Sequence, residues 1–83
     1  VLYATKIARL SLLLTRKILM AEVEMLRAEV HQLAEQAFHQ GLISGYGDSE
    51  YPEEYQLVLE GKPRHFSLEY ARSFLQELLA SES

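Results

Sequence analysis

The sequence predicts a mainly α-helical fold with a small β-hairpin: a long N-terminal helix, a Gly-rich loop, a short hairpin and a C-terminal helix. Residues 1–40 contain neither Gly nor Pro and consist mostly of good helix formers. Residues 41–54 form a connection rich in Gly, Ser and Asp. From Leu68 onward, apolar residues recur at helical spacing.

The first helix is expected over residues 3–40, with Gly41 as its C-terminal cap. At 1.5 Å per residue it would be about 57 Å long, whereas a compact domain of this size has a radius of gyration near ~12 Å. Such a helix must project beyond its domain, bend, or lie against another chain. Its apolar positions form two stripes. Val23, Leu26, Val30, Leu33 and Ala37 alternate spacings of three and four, the signature of a packing seam. Tyr3, Ile7, Leu10, Leu14 and Ile18 do the same upstream, on a face roughly 150° away. Either the helix breaks near residues 18–21 and folds back, or it continues and its halves meet different surfaces. No Gly, Pro or capping residue stands there, which favours continuity. Self-association through Ile7, Leu10, Leu14 and Ile18, with Leu2 and Leu13 beside them, would bury what one chain cannot.

Residues 55–57 alternate apolar and polar side chains, and after Val58-Leu59 the Gly-centred break Glu60-Gly61-Lys62-Pro63 precedes Arg64-His65-Phe66, which reads as a hairpin. A competing reading starts a short helix at Pro52 and caps it at Gly61. Ser67 reads as the N-cap of the last helix, with Glu69 in its first turn. Leu68, Ala71, Phe74, Leu75, Leu78 and Leu79 give this helix a wide apolar face whose receiver is the 23–37 stripe. The expected core is Val23, Leu26, Val30, Leu33, Phe66, Phe74, Leu75 and Leu78.

With 83 residues and no cysteine, the chain has room for one small core and cannot form a disulfide framework or a thiolate zinc site. The composition is globular, and the uncharged stretches are far short of the roughly 20 residues a membrane span needs. No secretory signal is read, because Arg16 and Lys17 follow Leu12-Leu13-Leu14 where small residues would be required. A soluble, cytoplasmic protein is expected.

The net charge of -4 conceals a division. Residues 1–20 carry Lys6, Arg9, Arg16 and Lys17 and no acid, while all twelve acids lie downstream. Val1 opens the chain and Met20 stands where the composition changes, so residues 1–19 are expected to be a basic amphipathic extension on an α(ββ)α domain of residues 20–83. The basic face could meet a membrane surface, nucleic acid, or acidic protein surface of its own or a twin chain.

Candidate chemistry is sparse. His31, Glu35 and His39 share a helical face at metal-compatible spacing, but lack the HExxH pattern and read as a solvated stripe. His65 would need a nucleophile or acid against it, and nothing marks Ser44, Ser49 or Asp48 as activated. Gly41, Gly45 and Gly47 follow a helix, without the lysine of a phosphate loop, and read as turn residues. No cofactor and no metal are expected. Tyr46, Asp48 and Tyr51 form an acidic-aromatic patch suited to a protein partner, with Tyr55 nearby as either patch or core.

Val23-Glu24-Met25-Leu26-Arg27 and Ser67-Leu68-Glu69-Tyr70-Ala71 have a spacing that resembles the sporulation-type aspartyl-phosphate phosphatases, which are two-helix hairpins. Ala71 stands where that family has its functional Asp, and the intervening segment is longer. The resemblance supplies a third alternative, a small phosphatase-like signalling regulator. The leading expectation is a non-catalytic adaptor, regulatory or assembly module that forms a homodimer or larger assembly through its long helix. Nucleic-acid or membrane-surface binding is the second.

Overall fold

The computed structural model describes the backbone of residues 2–81 and the side chains of residues 20–81. Helix α1 spans Leu2–His39 without a break, as the continuous reading requires. Strands β1 (Gly45–Asp48), β2 (Glu54–Leu59) and β3 (Lys62–Ser67) follow, and helix α2 (Leu68–Ser81) closes the order. The longest dimension is 59 Å, essentially the length of α1, and the radius of gyration of 17.4 Å is well above that of a compact chain this size.

Gly41 ends α1. Its φ is +75°, and its N–H donates to the carbonyl of Phe38 at 3.0 Å while that of Leu42 donates to Ala37 at 2.9 Å. This pair of bonds is a Schellman cap, which satisfies two of the carbonyls a helix end leaves open. At the other junction, Ser67 Oγ accepts the N–H of Tyr70 at 3.2 Å, the N-cap bond expected for α2.

The three strands form one antiparallel sheet in the order β1-β2-β3. Two features of the expected fold are corrected. The Gly-rich loop contains a strand, so the hairpin is a three-stranded meander, and the "mainly α" description understates the sheet. Gly45 lies opposite Val58, and a Cβ built there would come within 3.3 Å of the valine Cγ2, so glycine fits where a side chain would crowd. The turn is also tighter than the four residues expected. Glu60 and Gly61 alone form it, with φ of 52° and 78°, the positive pair a two-residue type I′ hairpin demands. Lys62 and Pro63 belong to β3. The competing short helix over this segment is not formed.

One face of the sheet receives both helices. Tyr55 and Leu57 of β2 are fully buried against Val30, Ala34 and Ala37 of α1 and Leu68, Ala71 and Leu75 of α2, with Ile43 from the connection. Three of these are alanines, whose small side chains let the layers approach closely. Burying a side chain the size of Leu57 or Leu75 contributes roughly 1.5–3 kcal/mol. Of the expected core, Val30 and Leu75 are completely buried; Val23, Leu26, Leu33, Phe66, Phe74 and Leu78 pack around them half-buried. Phe66 stacks on both Tyr70 and Phe74, joining β3 to α2.

One outer strand, β3, limits further pairing. In a two-residue hairpin the flanking pair, Leu59 and Lys62, is hydrogen-bonded, so Val58 and Pro63 form the next, non-bonded pair. The nitrogen of Pro63 therefore faces outward, at a rim position where no donor is needed.

Candidate interaction surface

Among the described residues, those of α1 packed against the core fall between Val23 and Ala37 and keep to one side. The opposite side is bare. Ala21, Met25, Ala28 and Gln32 are exposed, and Met25 keeps 72 % of its surface. Beside them an open groove of about 890 Å³ runs between α1 and the start of α2. Its floor is Val23, Met25, Leu26 and Ala28; its rim carries Glu22, Glu29, Glu53 and Glu69 against one cation, Arg72. Arg72 lies 3.5 Å from Glu29, bridging the two helices across the groove.

The residues expected to self-associate, Ile7, Leu10, Leu14 and Ile18, and the basic positions Lys6, Arg9, Arg16 and Lys17 lie on α1, but their side chains are outside the described ones. The acidic-aromatic patch divides. Tyr46 is half-buried, edge-on to His31 and Phe38 at ring-centroid distances of 5.3 and 5.5 Å, so it covers the domain's own core. Asp48 is exposed and lies 3.7 Å from Arg27 Nε. Arg27 also donates to Glu24 and to the carbonyl of Pro52, tying the β1–β2 connection to α1. Tyr51 remains 63 % exposed.

Tyr55 is wholly internal. Its hydroxyl is 3.0 Å from His31 Nδ1, and burial, followed by the charge of Asp48 and the phenol of Tyr46, pushes its pKa up to about 12. His31 is thereby separated from its expected companions: His39 pairs with Glu35 at 3.8 Å, while His31 turns to the sheet. Among the described residues, no group of three or more His, Cys, Asp or Glu side chains gathers as a metal site.

The sheet does bring a polar group to His65. Ser49 Oγ lies 3.3 Å from His65 Nδ1 and 3.3 Å from Glu54 Oε2. Sequence reasoning missed this because the residues are separated by a turn and a strand. The carboxylate touches the serine, however, and not the imidazole, so it does not orient a base against a nucleophile. Of the three, Glu54 lines a cavity of about 360 Å³ together with Val23, Leu26 and Leu68. Ser44, the other loop serine, accepts the N–H of Gly61 at 3.2 Å and holds the hairpin turn.

No described helix is long and apolar enough to cross a membrane. Comparison with protein-family models, curated proteins and solved structures finds no match.

Proposed function

We propose that the chain is a non-catalytic interaction module, an adaptor or regulator, that self-associates through α1 and meets a further protein near Tyr51. One observation carries the reading: α1 runs unbroken for 38 residues and its length sets the 59 Å long dimension of the molecule, while among the described side chains those of α1 packed on the core fall between Val23 and Ala37. A helix needs tertiary packing of an apolar face to be stable in water. The upstream stripe of Tyr3, Ile7, Leu10, Leu14 and Ile18 supplies such a face, and a twin chain supplies a surface to cover it. The exposed Tyr51, beside Glu50 and Glu53, supports the second contact. A reducing, cytoplasmic setting goes with this reading and is supported by the lack of cysteine.

Light-scattering mass, measured on the whole chain and on a version beginning at Met20, tests it. The expected result is a dimer or larger assembly for the first and a monomer for the second. A monomer in both overturns the reading.

A further inference from the structure

The bare side of α1 has a direction that the two stripes explain. On an α-helix, residues about 18 positions apart complete five turns and return to the same angle. Adding that interval to Tyr3, Ile7, Leu10 and Leu14 gives Ala21, Met25, Ala28 and Gln32. These are the exposed residues on the side of α1 away from its core. The upstream stripe therefore does not end at Ile18. It continues along the whole helix as one seam, bulky in the first half and small or flexible in the second.

We propose that a second copy of this chain lies antiparallel along this seam, its bulky half covering Ala21, Met25 and Ala28 of the first copy and the reverse. The two-fold axis then passes beside Leu19 and Met20, and both seams are covered at once. The proposal deepens the self-association reading and rests on it.

Size complementarity supports the direction. Pairing Leu14 with Met25, Ile18 with Ala21 and Ile7 with Gln32 sets each large residue of one half against a small or pliable one of the other. Alanine permits close approach, and methionine fills irregular space. A parallel pair would set Ala21 on Ala21 and Ala28 on Ala28, leaving the second half thinly packed.

Charge selects the same arrangement. Lys6 and Lys17 fall on one flank of the seam by helical angle, and Glu24 and Glu35 fall on that same flank further along. A perpendicular two-fold brings each flank against its own counterpart. Lys17 then meets Glu24, and Lys6 meets Glu35, within a turn of the Leu14–Met25 register. Glu24 and Glu35 keep 66 % and 51 % of their side chains exposed, open to such partners. A parallel pair would instead cross the flanks, keeping one opposite-charge contact, Lys17 with Glu22, but setting Glu24 against Glu29 and leaving Lys6 beside Ser11, and flanking charges of this kind bear on helix orientation.

Because the chain has no cysteine, introduced thiols report the geometry alone. In the full chain, oxidising the double variant Leu14→Cys with Met25→Cys should give a covalent dimer. Within one helix these positions are about 16 Å apart, too far for a disulfide, so any bond joins two chains. Either single variant should stay unlinked, since its twin lies about 16 Å away along the axis. A dimer cross-linked by Leu14→Cys alone means parallel pairing and overturns the proposal. No cross-link in the double variant, with the unmodified chain dimeric by light scattering, overturns the proposal and leaves self-association standing. A monomeric unmodified chain removes both. Independently, Met25→Glu should halve the mass with the helical circular dichroism of the domain retained; a dimer of unchanged mass counts against this seam.

Discussion

The phenol oxygen of Tyr55 and Nδ1 of His31 lie 3.0 Å apart, joining the middle strand of the sheet to the first helix. Tyr55 is fully buried, so its hydroxyl has exchanged water for this bond and the ring fills the layer beneath α1. Phenylalanine at position 55 should cost about 0.5–1.5 kcal/mol, and alanine about 3–5 kcal/mol, by urea unfolding. Equal stability of the phenylalanine variant would mean the bond contributes nothing.

Tyr55 also sets an alkaline limit. Its pKa is raised from 10.0 to about 12 in the fold, so the folded state holds the proton more tightly than the unfolded chain. The associated stability is complete below pH 10 and declines as pH climbs toward 12, by an amount on the order of 2 kcal/mol. Unfolding followed from pH 9 to 12 should show this loss in the natural chain, and a shallower one in Tyr55→Phe.

Glu60 sits at φ 52°, a region that suits asparagine or glycine better than glutamate. Replacing it by Asn should stabilise the chain by about 0.5–1 kcal/mol, measured as a shift in the urea midpoint at constant slope.

Gly41 offers the opposite case. Nothing lies within 4 Å of a Cβ placed there, so Gly41→Ala would test the backbone alone. The positive φ of the Schellman cap should make it destabilising by about 1 kcal/mol. Ser67→Ala, at the start of α2, should cost about the same through loss of the N-cap bond to Tyr70.

Leu75 is wholly enclosed between α2 and the sheet. Leu75→Ala should cost about 2–5 kcal/mol, while Leu79→Ala, at the half-exposed end of α2, should cost less. Equal losses at the two sites would place the packing centre elsewhere.

Much of this fold was legible in the sequence because its signals are local. An unbroken run of helix formers ended by Gly41, a Ser67 cap and the Gly61 turn each carry their geometry in a few residues. β1 was not legible, since Gly45 and Gly47 have no side chains with which to display a strand's alternation. Ile43, a lone aliphatic residue among Gly and Ser, gave no periodic sign of its burial, and Tyr55 looked equally suited to a surface patch. His31 shows a subtler failure. An i,i+4 series advances about 40° per step around a helix, so His31 lies about 80° nearer the core than His39 although the spacing looks like one face. That drift let His31 reach Tyr55 and left Glu35 to His39.

Pro63 has a consequence for how this protein tolerates crowding. A short sheet with bare edges is a template on which strands of other molecules can add without end, the start of a fibre. On the β3 rim, one of the outward nitrogens carries no hydrogen, and the adjacent Lys62 and Arg64 repel a copy of themselves. Growth by strand addition is obstructed there, so an added strand would have to use the other edge of the sheet, along β1.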